Sequence, residues 1–294
     1  MLVPRIAGQF SKPRTEPFET INGTRVCSYK GDLINGAEPE NREPDPNRML
    51  MGYFNSVAVM NYIRQYCLAE NHEIFTSHEA MHLSYEAALT RSKGNKNYNL
   101  SAHMVWLGER TRKLGYAHTY YLSQIDNPVG VKIGPGVNLD ELIQIITLLN
   151  PKQENGKLIL IPRFGVAGTK QELPRVIEAV QNSGIPHIWV LDPMHGNTYK
   201  SQTGFKTRNY SDVLQECLDG IEVLEQHNAH LGGIHIEASY EIVTECVGGE
   251  CGITEDQLHQ HYTTLCDPRL NRSQAIELLT SVGRAMPAKS RRKF

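Results

Sequence analysis

The sequence predicts an α/β fold in which parallel strands alternate with helices around a (β/α) barrel of the TIM type. Three observations predict it. From about residue 103 short apolar runs alternate with amphipathic stretches, as βα units do. Each run ends in charged or polar residues: Glu109-Arg110, Lys132, Arg163, Asp192 with His195, Glu237 and, after a less obvious strand at Leu265-Cys266, Asp267. Anchors taken at 109, 132, 163, 192, 237 and 267 lie 23, 31, 29, 45 and 30 residues apart, and a barrel of eight units in about 250 residues uses roughly 30 for each. An open doubly wound sheet also places ligands at strand C-termini, but no glycine-rich phosphate fingerprint supports it here.

The elements follow in order. Asn22 to Pro46 is rich in Gly, Asn, Pro and Glu and reads as a long surface loop. Arg48 to Cys67 carries Leu50, Phe54, Val57, Met60 and Ile63 at three- and four-residue intervals, which predicts a helix, and Ser77 to Arg91 reads as a shorter one. Strands are expected at 104–107, 129–133, 158–161, 187–191 and 233–236. Thr169 with Glu172 and Thr254 with Gln257 fit capping boxes, and Asn138 and Ser211 fit simple N-caps. Pro174 suits a first turn only if its helix starts later than Thr169 suggests. Residues 1–284 therefore read as one catalytic barrel domain with a loop and helical insertion at about 22–95. Residues 285–294 read as a basic, solvated tail.

Composition excludes several functions. The formal net charge is -2 and 21% of residues are charged, so no global basic excess exists to hold nucleic acid through its phosphates. No run of about 18 apolar residues predicts a membrane span, and the start, Met1-Leu2-Val3-Pro4-Arg5, has no apolar signal region. Cys27, Cys67, Cys217, Cys246, Cys251 and Cys266 are irregularly spaced and read as reduced thiols, so a cytoplasmic location is expected.

His195, Glu237 and Asp267 each end a different expected strand. One nitrogen and two carboxylates suit a divalent ion such as Mn²⁺, Mg²⁺, Co²⁺ or Zn²⁺. Taken singly, each has an ordinary role as a structural histidine, helix cap or surface carboxylate. Arg110, Lys132 and Arg163 end three consecutive strands, and Arg5 ends or interrupts the first apolar stretch. Converging cations repel unless an anion joins them, and phosphate suits the Arg fork and the Lys point charge. Salt bridges with Glu109 and nearby acids are the competing structural use.

Several stretches carry a more specific signal. They include Arg5-Ile6-Ala7-Gly8-Gln9-Phe10-Ser11-Lys12-Pro13-Arg14, Ser77-His78-Glu79-Ala80, Gly108-Glu109-Arg110-Thr111-Arg112 and Asn127-Pro128-Val129-Gly130-Val131-Lys132. Asp192-Pro193-Met194-His195-Gly196-Asn197, Gly204-Phe205-Lys206-Thr207-Arg208, Thr244-Glu245-Cys246 and Cys266-Asp267-Pro268-Arg269 continue the series. In this order, from residue 5 to about 284, the sequence resembles class II 3-deoxy-D-arabino-heptulosonate 7-phosphate (DAHP) synthases. The resemblance implies a TIM barrel that joins phosphoenolpyruvate to erythrose 4-phosphate in the shikimate route to aromatic compounds. It implies that Arg5, Glu109, Arg110, Lys132 and Arg163 bind phosphoenolpyruvate. By the same resemblance Lys12, Lys132 and His195 serve catalysis, and His195, Glu237 and Asp267 bind the metal.

The sequence departs from the family in places. The family's first strand ends in Gly-Asp-Cys-Ala-Glu, whose cysteine is the fourth metal ligand, and that motif is absent here, so the barrel is expected to be incomplete or modified at that strand. A segment near residues 67–77 is also shortened. Three remaining ligands favour a harder ion, Mn²⁺ first. Cys27 is a substitute thiol to weigh, against the commoner role of an inert cysteine. Arg163-Phe164-Gly165 replaces the family's Arg-Met-Gly, and Glu237-Ala238-Ser239-Tyr240 replaces its Glu, an aliphatic residue or Thr, then Thr-Gly; the latter puts a tyrosine next to the metal carboxylate and points to a changed aldehyde acceptor. The expected partners are phosphoenolpyruvate, a small aldehyde and further copies of the chain in a homo-oligomer, with no nucleic acid and no membrane. A non-catalytic homologue that binds ligands or regulates a partner is the alternative.

Overall fold

A computed structural model describes residues 1–5, 11–14, 16–21 and 23–286. It groups into two compact units, Met1–Val131 with Leu148–Lys152, and Lys132–Thr147 with Gln153–Phe294.

The first unit opens with residues 2–5 lying parallel to the segment 74–77, through Phe75 N→Leu2 O and Ser77 N→Pro4 O bonds of 2.9 Å each. A hairpin follows, β1 (Phe18–Ile21) against β2 (Thr24–Cys27). It turns through Gly23 at φ +79°, a conformation that only glycine adopts without strain. This corrects part of the expected loop at 22–46. Alternating side chains in β1 suit a hairpin, and Asn35, fully buried, ties the chain down by donating to Ser28 O and Arg42 O at 2.9 and 2.8 Å. Helix α1 (Asn47–Glu70) matches the expected helix and buries only Gly52 and Ser56 fully.

The helix expected at Ser77–Arg91 is replaced by β3 (Ser77–Glu79), α2 (Leu83–Ala88) and the start of a hairpin, β4 (Thr90–Lys93) with β5 (Lys96–Asn99). The physical reason is tertiary. Ser77 and His78 are buried in parallel register beside β6 (Met104–Leu107), and a three-residue strand is too short to show its own period. Helix α3 (Ala117–Ser123) leads to β7 (Val129–Ile133), whose first residues pair parallel with β6. The parallel order within this unit is thus β3-β6-β7.

The second unit takes over at Lys132. The last residues of β7 are followed in parallel order by β8 (Leu158–Pro162), β9 (Ile188–Leu191) and β12 (Leu231–Ile234). All five residues of β7 and of β8 are buried, as parallel strands covered on both faces require. Between β7 and β8 runs α4 (Leu139–Leu149), capped as expected by Asn138, which accepts from Glu141 N at 3.0 Å.

Helix α5 (Thr169–Ser183) starts at Thr169 itself, so the expected Thr169–Glu172 capping box does not form. Thr169 Oγ1 donates to Gly165 O at 2.9 Å instead, and Pro174 sits inside the helix. Leu173, Val176, Ile177 and Val180 form its buried stripe, and Gly184 at φ +68° ends it in the left-handed conformation common after helices. The hairpin β10 (Thr198–Lys200) with β11 (Lys206–Arg208) precedes α6 (Tyr210–Gln226). Asn209 rather than Ser211 takes the N-cap position there, with no capping bond from its side chain.

The expected capping box at Thr254 and Gln257 forms, on a 3₁₀ segment Glu255–Gln260. Strand β12 ends two residues earlier than the expected 233–236 run, and no strand forms at 265–266. Asp267 lies on irregular chain held by a buried acid, Glu245, which accepts from Thr264 N and Arg269 N at 2.8 Å each. The nearest regular feature is a bridge between Ala238 and Leu270. The last helix, α7 (Arg272–Ala285), has a capping box that the sequence reading missed: Gln274 N→Asn271 Oδ1 at 2.9 Å and Asn271 N→Gln274 Oε1 at 3.1 Å. The basic tail from residue 287, like motif residues 6–10, lies outside the described residues. No helix among the described residues is long and apolar enough to cross a membrane.

Asn271 is buried and also donates to Val243 O at 3.2 Å. Asn271→Ala is therefore expected to lower stability by about 1–2 kcal/mol, measured by urea denaturation. A change of only a few tenths would show that the cap carries no weight.

Candidate metal and anion site

The second unit brings most of the expected site together, and it starts from a buried charge. Asp192 has no exposed surface and immediately follows β9. Its Oδ2 pairs both with Lys132 Nζ, at the end of β7, and with His195 Nδ1 at 2.8 Å. Its second oxygen accepts from Met194 N and His195 N at 3.0 and 3.2 Å, folding the chain into a tight turn. Burial works to raise the Asp192 carboxyl, but the His195 and Lys132 cations outweigh it and hold it well below the usual carboxylate range.

With Nδ1 committed to Asp192, the other imidazole nitrogen points outward. His195 Nε2 lies 3.3 Å from Glu237 Oε1 and 4.0 Å from Asp267 Oδ2. The remaining oxygen of each acid is held by a cation: Arg208 Nη2 donates to Glu237 Oε2 at 2.6 Å, and Lys206 Nζ to Asp267 Oδ1 at 2.6 Å. The three ligand atoms lie within 4.8 Å of one another. A neutral imidazole oriented by a carboxylate and facing two carboxylate oxygens is a donor set that fits a divalent ion. Burial works to lower the His195 imidazole, yet the Asp192 and Glu237 carboxylates hold it above its usual value. Neighbouring His235 is pushed down to about 3 by burial and by Lys132, so it is neutral.

Arg208 and Lys206 escaped the sequence reading as site residues, although both lie in the Gly-Phe-Lys-Thr-Arg motif. Arg208 is fully buried. Besides Glu237 it donates to Met194 O through Nε at 2.7 Å and to Pro268 O through Nη1, so one guanidinium braces the three loops that carry His195, Glu237 and Asp267. Asp192 was legible as a strand-end acid but not as the group that orients His195.

Arg163 follows β8 directly. Its backbone N–H donates to Ile133 O at 2.8 Å, and its Nη2 donates to His195 O at 2.8 Å. Its Nε is buried without a hydrogen-bond partner among the described residues. A buried donor left unmatched is costly, and an anion would satisfy it.

Arg5, Lys12, Glu109 and Arg110 belong to the first unit. The Arg5 guanidinium stands 5.5 Å from the Trp106 ring centroid. Glu109 Oε1 pairs with the buried Arg112, while Glu109 Oε2 is buried and unbonded among the described residues. Arg110 is exposed. Lys12 donates its backbone N–H to Lys30 O at 2.8 Å. A Cβ on Gly108 would come within 1.9 Å of Glu79 Oε1, so a larger residue there would displace the end of the Glu79 side chain. Cys27, weighed as a substitute thiol, lies on β2 and contacts Glu43 Oε1 at 3.5 Å.

Known proteins give these residues a context. The class-II DAHP synthetase family matches residues 1–72 and 66–283. A phospho-2-dehydro-3-deoxyheptonate aldolase of Streptomyces coelicolor is 40% identical over 329 residues, covering 94% of this chain and 73% of that protein. The Neurospora crassa protein of the same name is 37% identical over 344 residues, covering 94% and 72%. A crystal structure of phospho-2-dehydro-3-deoxyheptonate aldolase (DAHP synthase) from Thermotoga maritima overlaps 72% of this chain and 50% of its own, with a TM-score of 0.41 and 17% identity. With nearly its whole length matched, and at such identity to the first two relatives, this chain belongs to the class-II DAHP synthetase family.

Proposed function

We propose that this chain condenses phosphoenolpyruvate with an aldehyde, erythrose 4-phosphate or another acceptor, and releases phosphate. One observation carries the reading beyond family membership. In a single unit, Lys132 and the unmatched Arg163 Nε accompany the His195–Glu237–Asp267 cluster through shared bonds to Asp192 and to the His195 backbone. An anion site is thereby coupled to a metal site.

The roles divide by chemistry. Lys132 and Arg163 hold the phosphate, the first as a point charge and the second as a fork. The family resemblance assigns Arg5, Glu109 and Arg110, all of the first unit, to phosphoenolpyruvate binding as well, and Lys12 to catalysis. His195, Glu237 and Asp267 hold the metal, Mn²⁺ before Mg²⁺, Co²⁺ or Zn²⁺. When bound, such an ion supplies Lewis acidity toward the aldehyde oxygen. In the balanced reaction, C3 of phosphoenolpyruvate bonds to the aldehyde carbon and the aldehyde oxygen gains a proton. Water oxygen bonds to C2, the C2–O bond to phosphate breaks, and a 2-keto acid and inorganic phosphate result. Fixing both substrates makes the first step effectively unimolecular, worth several kcal/mol at the order-of-magnitude level.

Phosphate release should appear when phosphoenolpyruvate, an aldehyde and Mn²⁺ are supplied together, and it should require all three. No turnover across a panel of aldehydes despite bound Mn²⁺ would leave the non-catalytic reading standing. Arg163→Ala is expected to abolish phosphoenolpyruvate binding and keep Mn²⁺, and His195→Ala to abolish Mn²⁺ binding and keep phosphoenolpyruvate, more weakly than the metal-loaded protein does, both read by calorimetry. Variants that each retain both ligands would sink the assignment.

The raised His195 imidazole adds a pH signature. In the metal-free protein it keeps its proton above its usual range, and a ligand must be neutral to bind. Mn²⁺ affinity should therefore weaken as pH falls through that raised value, by up to about tenfold per pH unit for a single displaced proton. Titrations in buffers of different ionisation enthalpy should record the released proton. A pH-independent affinity between 6 and 8 would refute it.

A further inference from the structure

Glu216 lies on α6, distant in sequence from every strand end, and its side chain is buried. It forms no ion pair among the described residues. Its carboxyl group instead spans two loops. Oε1 accepts from Gly165 N at 2.8 Å and lies 3.1 Å from Thr169 Oγ1. Oε2 accepts from Asn197 Nδ2 at 2.6 Å. Asn197 crosses between the same loops, because its Oδ1 accepts from Val166 N at 2.9 Å while its Nδ2 also donates to Pro193 O at 2.8 Å.

The two loops meet with no room to spare. A Cβ on Gly196 would stand 2.2 Å from Gly165 N, and one on Gly165 would stand 2.8 Å from Gly196 O. Arg163 and His195 sit two residues before Gly165 and Asn197 respectively, and Arg163 Nη2 donates to His195 O across the junction. The junction therefore sets where the Arg163 fork stands relative to the His195 ring.

We propose that Glu216 is a positioning residue that clamps the Arg163 loop to the His195 loop, so that the phosphate site and the metal site form as one. This rests on the reading of Arg163 and His195 given under the proposed function.

Bonding rather than charge is the working property of the group. Thr169 has one hydroxyl proton, and Gly165 O is available to accept it at 2.9 Å. The same hydroxyl can instead donate to Glu216 Oε1 at 3.1 Å, so both carboxyl oxygens act as acceptors, with Gly165 N and Asn197 Nδ2 as their other donors. Burial, with Asp192 next in weight, pushes the Glu216 carboxyl up to about 7, so the neutral form is available near neutrality. An amide of the same shape can accept from only one of Gly165 N and Asn197 Nδ2 and turns a donor toward the other, so it should keep part of the clamp, whereas an apolar side chain keeps none.

Steady-state kinetics and calorimetry on the full chain with Mn²⁺ test this. Glu216→Leu is expected to raise the KM for phosphoenolpyruvate at least tenfold while the KM for the aldehyde stays within about twofold. Glu216→Gln, which keeps one of the two accepting contacts, should fall between wild type and the Leu variant in its KM for phosphoenolpyruvate. A merely structural role would lower the active fraction, and with it kcat, and leave both KM values unchanged. That result overturns the proposal, as does a Gln variant no better than Leu. Should the Leu variant fail to fold, Glu216→Asp, whose shorter reach cannot span both loops, must raise the phosphoenolpyruvate KM at least threefold, and an unchanged value overturns the clamp. Wild-type protein that neither binds nor turns over phosphoenolpyruvate overturns the functional reading and this inference together. Wild type and Glu216→Leu that bind it equally tightly overturn the inference alone.

Discussion

The site depends on a carboxylate that has no contact with water. Asp192 cannot remain ionised in the interior unless cations meet it, and Lys132 and His195 both do so at Oδ2. The consequences reach beyond charge. Binding Nδ1 of His195 fixes the ring so that Nε2 faces Glu237 and Asp267, and a carboxylate behind an imidazole is what orients such a ring toward a metal. Accepting the Met194 and His195 backbone N–H groups bends the chain after β9. Holding Lys132 draws the end of β7 to the same point. Removing this one acid would leave two cations and a turn without their common partner.

Two further buried ionic residues serve irregular chain in the same way. Arg208 braces the three loops that carry His195, Glu237 and Asp267 through Met194 O, Pro268 O and Glu237. Glu245 accepts from the backbone of Thr264 and Arg269 and pairs with the Arg269 guanidinium. No strand forms around Asp267, so backbone pairing does not hold it there, and side-chain hydrogen bonds take over that work. Buried polar groups of this kind are tolerated only when fully bonded, which explains why loop positions here can be as well defined as strand ends.

This division also explains what the sequence could reveal. Runs such as Leu158–Pro162 are apolar on both faces, and the charged residue that follows marks a strand end directly. Lys132, Arg163, Asp192 and His195 were legible for that reason. Glu216 was not, because a helix acid looks like any solvated residue until its partners on Gly165, Thr169 and Asn197 are known. Ser77–Glu79 was read as helix because three residues show no period and only pairing with β6 decides their conformation. Asp267 was assigned to the right place in the series for the wrong local reason, since a buried Glu245 rather than a strand carries it. Lys12 entered through family resemblance alone, as no spacing argument singles it out.

Charge balance argues that the two halves of the proposed site need one another. In the second unit Lys132, Arg163, Lys206 and Arg208 supply four positive charges, and Asp192, Glu237 and Asp267 supply three negative ones. With the His195 imidazole neutral, as a metal ligand must be, the cluster is left with one excess cation, which alone is a weak match for phosphoenolpyruvate, whose carboxylate and phosphate together carry about two and a half to three negative charges near neutrality. A divalent ion on His195, Glu237 and Asp267 would raise the excess to three. Neutralisation matters because charges desolvated together must nearly cancel. By this reasoning metal and phosphoenolpyruvate would bind with positive coupling, each tightening the other through the charge it brings, and the proposed clamp between the Arg163 and His195 loops is where that coupling would acquire a fixed geometry.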